Sequence, residues 1–229
     1  MIFETIRKKL LSESDLNYKI FTEKLIPNTY NIIGVKIPVI RKIYKEIEKK
    51  DYHKYLFVTE KLYHEEIIIR GLIVSNLCET KDDFILYINE ELKFINNWAL
   101  CDTLVSNLKN IKKYKNDLIP YLSTLLKSNN EFHKRFVFVI LLNYYLEDKY
   151  INTIFKFINN KNSSDYYVNM SVAWLIQKCF VYHKEKTIKF LKSTDLDSFT
   201  LNKAKQKILD SYLVDKETKN QIKRRSLFC

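Results

Sequence analysis

The sequence predicts an all-α protein, and three observations lead to that fold class. Only two glycines and three prolines occur among 229 residues, whereas β-sandwiches, barrels and Rossmann-type folds need many turns. Apolar residues recur at helical spacing along nearly the whole chain. Hydrophobic residues make up 46% of the chain, which is enough for a full core and argues against disorder. The same scarcity of glycine excludes a glycine-rich phosphate loop.

The first elements are two short N-terminal helices. Their apolar positions are Ile2, Ile6 and Leu10 in the first helix, and Phe21 and Leu25 in the second. The helical pattern then breaks between Gly34 and Pro38. Gly34 tolerates a positive φ angle, and Pro38 suits the first turn of a helix. A third helix is therefore predicted to begin near residue 38.

Later helix starts are marked by residues that suit a helix N-terminus. They lie near Asp51, Glu65, Asp82, Asn97, Asn116, Asn130, Asp148, Asp165, His183, Ser198 and Asp215. Asp, Asn and Ser side chains accept hydrogen bonds from the unpaired N–H groups of a first helical turn. Glu65 and Glu66 also complement the positive end of a helix dipole, which is sufficient reason for two acidic residues there.

The helix starts also repeat. Every second helix begins near residue 38, 65, 97, 130, 165 or 198, a step of roughly 27 to 35 residues that is typical of helical-repeat solenoids. HEAT and armadillo repeats run somewhat longer, at about 40 to 47 residues. No linker, low-complexity tract or change of composition divides the chain. We therefore expect a single domain over residues 1–229, an α-solenoid of about six HEAT-like repeats.

The charge of the chain predicts a polyanionic partner. Lys and Arg number 39 against 27 Asp and Glu, a net charge of +12. Compositional drift is the alternative, because the chain is rich in the Lys, Asn, Ile and Tyr that an AT-rich genome encodes. A solenoid with a basic concave face would fit a nucleic-acid duplex by shape and charge rather than by reading bases.

Cysteine and histidine spacing predicts neither a disulfide framework nor a metal site. Cys78, Cys101, Cys179 and Cys229 are scattered without a CxxC pair, and the four histidines have no HExxH or other ligand spacing. We expect no metal and no cofactor. The N-terminal segment has no long apolar stretch, so the expected location is the cytoplasm, with reduced thiols.

The segment most suggestive of chemistry covers residues 96–103. Trp98 and Asp102 are four residues apart and so share one face of a helix. An indole beside a carboxylate gives an apolar wall next to a fixed negative charge, which could hold a sugar ring and stabilise a cation developing on it. The alternative is a core tryptophan, with Asp102 capping a helix or forming a salt bridge.

Four further residues are candidates for binding. Arg135 could pair with Asp102 or bind a phosphate through both arms of its guanidinium, or be an ordinary surface arginine. Trp174 lies in an apolar run, whose default interpretation is core. Lys36 and Arg41 flank a predicted helix start, where N–H groups and the helix dipole attract phosphate, although ordinary helix-end charge would also explain them.

These segments together resemble the AlkD family of DNA alkylation repair proteins, which are built from HEAT-like repeats. The resemblance extends from about Phe21 to about Lys223. Each matching segment is short, and their order and separations make the match specific. The segments are residues 33–42 (IGVKIPVIRK), 97–103 (NWALCDT), 134–136 (KRF) and 172–176 (VAWLI).

The resemblance implies a DNA glycosylase that removes purines alkylated at ring position 3 or 7 from double-stranded DNA, without inserting the base into a deep pocket. Asp102 would stabilise the oxocarbenium-like sugar and position water. Trp98 and Trp174 would pack on the deoxyribose and the backbone, and Arg135 would hold the DNA backbone. Lys36 stands where a well-studied branch has Gln, and it would suit a phosphate contact.

Two other functions remain open from the sequence. One is a non-catalytic binder of damaged or branched DNA that uses the same concave face. Asp102 argues against it, because a phosphate binder gains nothing from a carboxylate that faces DNA. The other is a protein-interaction scaffold, a common use of solenoids. A monomer is the default expectation in each case.

Overall fold

The structure, a computed structural model, describes residues 2–27, 29 and 31–224 of the chain. The chain divides into two compact units, residues 1–114 and 115–229. The regular secondary structure of the described residues is helical, without a strand, which confirms the predicted all-α class. None of the described helices is long and apolar enough to cross a membrane.

The first unit is a set of paired helices in which α3, α5 and α7 pack side by side. Its described α-helices are α1 Ile2–Ser12, α2 Leu16–Leu25, α3 Ile37–Tyr44, α4 Tyr52–Leu56, α5 His64–Leu77, α6 Lys81–Glu91 and α7 Trp98–Asn107. Helix α1 packs on α3 and α4, and α6 packs on α5. Short 3-10 turns lie at Lys49–Asp51, Leu92–Phe94 and Lys109–Lys113.

The second unit repeats the arrangement, with α11 packed between α9 and α13. Its described α-helices are α8 Ile119–Leu126, α9 Glu131–Tyr144, α10 Ile151–Asn159, α11 Tyr166–Tyr182, α12 Lys184–Leu191, α13 Ser198–Asp210 and α14 Lys216–Arg224. Helices α8 and α12 pack on α9 and α11 respectively, and α14 packs on α13. Short 3-10 turns lie at Lys115–Leu118 and Asp148–Tyr150.

The predicted repeat spacing is confirmed by the second helix of each pair. Helices α3, α5, α7, α9, α11 and α13 begin 27 to 35 residues apart. Asn97 and Asn130 cap α7 and α9 as predicted, since each side chain accepts a backbone N–H of the first turn. Helix α13 begins at Ser198 as predicted, with Asp197 as its N-cap, whereas α6 begins one residue before the predicted Asp82, with Thr80 as its N-cap.

Helix α2 forms where it was predicted but buries none of its residues. Phe21 and Leu25 are 55% and 47% exposed, so they are not core positions. The helix is held at its ends instead. The Asp15 backbone N–H donates to the Gly34 carbonyl (3.1 Å), and Ile26, just beyond the helix, is buried.

Candidate functional site

Helix α7 has one buried face and one open face. Leu100, Cys101, Leu104 and Val105 are buried on the side that packs on α5. The open face consists of Trp98, Ala99, Asp102, Thr103, Ser106 and Asn107, none of which is buried. The helix begins at a fixed point, because the buried Asn97 side chain accepts the Leu100 N–H at 3.0 Å. Trp98 and Asp102 therefore lie one turn apart on a surface that is accessible to a ligand.

Trp98 is half-buried and is anchored at its edge rather than packed in the core. Its indole Nε1 donates to the Leu25 carbonyl at 3.0 Å. That carbonyl is the last of α2, where the helix leaves carbonyl groups without an intrahelical partner. Trp98 is therefore not a core tryptophan, and Asn97 rather than Asp102 caps α7.

Arg41 lies at the other end of the same open face. Its Nη1 donates to Asn107 Oδ1 at 3.1 Å, and Asn107 ends α7. The open face of α7 thus carries an indole and a carboxylate near its start and a guanidinium near its end. These three groups therefore lie on or beside one face of α7, and the position of Arg41 next to this face was not predicted from the sequence.

Lys36 is the N-cap residue of α3 and does not join that group. Its Nζ lies 3.4 Å from Asp15 Oδ2 and 5.9 Å from the ring centre of Tyr18, beside the first turn of α2. Trp98 contacts the opposite end of this ten-residue helix, about 15 Å away at 1.5 Å per residue. A hydrogen bond from the Tyr18 backbone, with a smaller contribution from Lys36, lowers the pKa of Asp15.

The loop that places Lys36 is held by Glu65, a contact that the sequence analysis missed. The buried Glu65 carboxylate accepts the backbone N–H groups of Ile33 (3.0 Å), Gly34 (2.7 Å) and Val35 (3.2 Å). Gly34 has a φ of +97°. The helix-dipole explanation of Glu65 was therefore incomplete, and no spacing rule points to a partner that lies some 30 residues earlier in the chain.

Arg135 is buried in the second unit, which corrects the surface alternative. It lies on α9, is only 6% exposed, and donates from Nη1 to the Tyr167 carbonyl at 2.9 Å. Tyr167 belongs to the first turn of α11. This bond orients the guanidinium, a group that can form bidentate hydrogen bonds with phosphate oxygens.

Trp174 lies on an open stripe of α11 rather than in the core, so the default interpretation of this residue is wrong. Tyr167, Met170, Trp174 and Lys178 are partly exposed along one side of the helix, while its other residues are mostly buried. Trp174 lines a recess of about 390 Å³, which we call the Trp174 recess. Its other lining residues are Gln177, Lys178, Lys207, Asp210 and residues 211–213.

Positive charge accumulates at this part of the second unit. Burial, and then the charges of Arg135 and Lys203, lower the pKa of Lys207, and Asp210 opposes them. Because Lys207 lies near Arg135 and lines the Trp174 recess, the second unit places its two candidate residues in one basic region. Lys207 and Lys178 were missed, because nothing in their sequence context separates them from other lysines.

The described residues contain no group of three or more His, Cys, Asp or Glu that could hold a metal ion. Cys78, Cys101 and Cys179 are buried, and Cys229 lies outside the described residues. Burial raises the pKa of both Cys78 and Cys179 to about 12, so these two sites disfavour the reactive thiolate form.

The model of a family described as DNA alkylation repair enzyme matches residues 6–208. The matched region includes every candidate residue of both units and stops within α13. The curated proteins that were searched contain no match to this chain.

Proposed function

We propose that this chain, which belongs to the family of DNA alkylation repair enzymes, is a DNA glycosylase. The proposed substrates are alkylated purines of the 3-methyladenine and 7-methylguanine type in duplex DNA. The observation that carries the proposal is the open face of α7, on which Trp98 and Asp102 lie one turn apart and partly exposed. The net charge of +12 supports a polyanionic substrate.

For this reaction the protein has mainly to stabilise a developing positive charge and to position the reacting groups. Alkylation at ring nitrogen 3 or 7 makes the purine cationic, so the breaking C–N bond returns its electron pair to the leaving base. Positive charge develops on the deoxyribose, and a carboxylate next to the sugar stabilises that charge more in the transition state than in the ground state. Water then adds to the sugar carbon and loses a proton.

Asp102 supplies this carboxylate in the proposed mechanism and positions the attacking water. The Trp98 ring, fixed by its bond to the Leu25 carbonyl, forms the apolar wall on which the sugar rests. An apolar wall lowers the local dielectric and so strengthens the interaction of Asp102 with a developing cation.

The remaining candidates bind DNA in this proposal. Arg41 and Arg135 are arginines whose guanidinium groups are oriented by hydrogen bonds to Asn107 and Tyr167, and oriented guanidinium groups suit phosphate. Trp174 packs on the DNA backbone beside the basic recess. Lys36 contributes a phosphate contact near the start of α3.

The test is base release from methylated duplex DNA by wild type and by Asp102→Asn. We expect the variant to release methylpurine about 100-fold more slowly, because it loses a transition-state charge interaction. Its affinity for DNA should remain within about twofold, since an uncharged amide does not weaken phosphate contacts. Asp82→Asn is the matched control, because Asp82 is a highly exposed carboxylate on α6, and it should leave release unchanged.

Two outcomes would contradict the proposal. Undiminished release by Asp102→Asn would remove Asp102 from the catalytic role. Binding of damaged DNA by the wild type without release of any base would favour the non-catalytic binder.

A further inference from the structure

The turn that follows α13 carries an exposed aromatic side chain. Tyr212 is fully exposed and Leu213 is 65% exposed. Within the described part of the chain, the Tyr212 side chain makes no hydrogen bond and no ring contact. The two neighbouring side chains expose apolar surface that gains no burial energy within the chain, and adjoining exposed apolar side chains suit an interaction site better than a single one does.

The backbone of this turn is well fixed, although its tip is exposed. Ser211 Oγ accepts hydrogen bonds from Gln177 Nε2 (3.2 Å) and from the Leu213 backbone N–H (3.3 Å). Val214 is buried directly after the tip and donates its N–H to the Ser211 carbonyl at 3.4 Å. A rigid turn presents Tyr212 at a defined place, so a ligand would meet an ordered ring at small entropic cost.

The surroundings of the turn indicate what that ligand is. Residues 211–213 line the Trp174 recess together with Trp174, Lys178 and Lys207. Burial lowers the pKa of Lys207, and the positive charges of Arg135 and Lys203 lower it further, while Asp210 opposes them. A polyanion would relieve the repulsion between these positive charges, and two aromatic rings beside it suit the flat faces of nucleic-acid bases.

The Tyr212 turn also lies outside the region that identifies the family, since the family match ends at residue 208. Membership of the family therefore assigns no role to it.

We propose that Tyr212 is a stacking contact for DNA bound at the Trp174 recess, and that it packs on a base left unstacked next to a lesion. Phosphates of the same strand lie against Lys178 and Lys207. Leu213 fills the space beside the stacked base. The inference rests on the proposed function for the identity of the ligand, and it adds a binding residue to that function.

The experiment measures the affinity of the full chain for a duplex that contains one stable abasic-site analogue, across a series of salt concentrations. Tyr212→Ala should bind about tenfold more weakly at every salt concentration, because one stacked base is lost. The slope of log affinity against log salt should not change, since no phosphate contact is lost. Tyr212→Phe keeps the ring and should bind as the wild type does.

Three controls separate stacking by Tyr212 from the loss of any exposed tyrosine, from charge and from folding. Tyr182→Ala removes another exposed tyrosine, which ends α11 and does not line the recess, and should leave binding unchanged. Lys207→Gln should reduce the magnitude of the salt slope by about one unit. Thermal unfolding of Tyr212→Ala should match that of the wild type, because the ring has no partner within the described chain.

Equal binding by wild type and Tyr212→Ala would overturn this inference and leave the proposed function standing. A reduced salt slope in Tyr212→Ala would also overturn it, because the residue would then act through the phosphates. A wild type that binds no DNA would overturn the inference and the proposed function together. Base release from methylated DNA, measured separately on the wild type, tests the proposed function alone.

Discussion

Trp98 shows how one side chain connects the candidate site to a distant part of the chain. Its Nε1 reaches the carbonyl of Leu25, 73 positions earlier, at the end of a helix that buries no residue of its own. The bond therefore does two things, since it orients the Trp98 ring at the start of α7 and links α7 to the end of α2. Neither consequence follows from the four-residue spacing of Trp98 and Asp102, which fixes only that they share a face.

Glu91 gives a prediction about stability at the scale of a single residue. It is fully buried on α6, and its Oε2 lies 3.3 Å from Arg70 Nε. Burial raises the pKa of Glu91 from 4.5 to about 7, although Arg70 opposes the shift. The folded protein therefore holds this proton more tightly than the unfolded chain does. Stability from this group is fully present below about pH 4.5 and is lost as the pH rises to about 7.

We expect the free energy of unfolding to fall by up to about 3 kcal/mol between pH 5 and pH 7.5 through Glu91 alone. Urea unfolding of wild type and Glu91→Gln across this range measures the effect as the difference between their two pH profiles. The neighbours Tyr55 and Cys78 do not titrate here, since burial raises the pKa of each far above this range. His64, whose pKa burial lowers, is common to both proteins. Parallel profiles would contradict the prediction.

At the scale of elements, residues 33–35 before α3 are held by several contacts. Glu65 binds three successive backbone N–H groups of this loop, and Gly34 sits against the start of α2. A Cβ atom at Gly34 would lie 2.5 Å from the Asp15 carbonyl and 2.7 Å from Lys19 Cβ. Position 34 therefore requires glycine, because its φ angle is positive and because the backbone there lies against Asp15 and Lys19 of α2 and its N-cap.

The two glycines of the chain should respond in opposite ways to the same substitution. Gly34→Ala should lower the free energy of unfolding by about 2 to 3 kcal/mol, because of the left-handed φ and the backbone clash. Gly71→Ala is the control in the middle of α5, where a new Cβ would only touch Leu104 at an ordinary 3.6 Å. It should gain about 1 kcal/mol from helix propensity. Chemical denaturation measures both, and changes of the same sign would contradict the argument.

Contacts between residues close together in the sequence could be predicted, and contacts between residues far apart in the sequence could not. Asn97 and Asn130 mark helix starts reliably, because a cap bonds to an N–H two or three residues away. The burial of Arg135 could not be predicted in this way, because its carbonyl partner is 32 residues distant. Phe21 and Leu25 fit a helical pattern, yet periodicity does not say whether a neighbouring element covers the apolar face.

At the scale of the whole molecule, the net charge of +12 is spread along the chain, and it does not by itself define a binding surface. Many lysines are already paired with carboxylates, as Lys93 is with Glu90 at 2.7 Å. Arg41 instead bonds to a neutral amide on the open face of α7. If binding uses this face, removing Arg41 and removing Lys93 should have different effects, although each removes one positive charge.

We expect log affinity for duplex DNA to fall linearly with log salt concentration for the wild type. Arg41→Ala should reduce the magnitude of that slope by about 0.9, the change that follows from the loss of one phosphate contact. Lys93→Ala should leave the slope unchanged, because its charge lies just after α6 and is already neutralised by Glu90. Fluorescence anisotropy with a labelled duplex over a salt series measures all three proteins. An equal change of the salt slope in both variants would mean that DNA affinity depends on the total charge of the chain. That result would contradict a phosphate contact at the open face of α7.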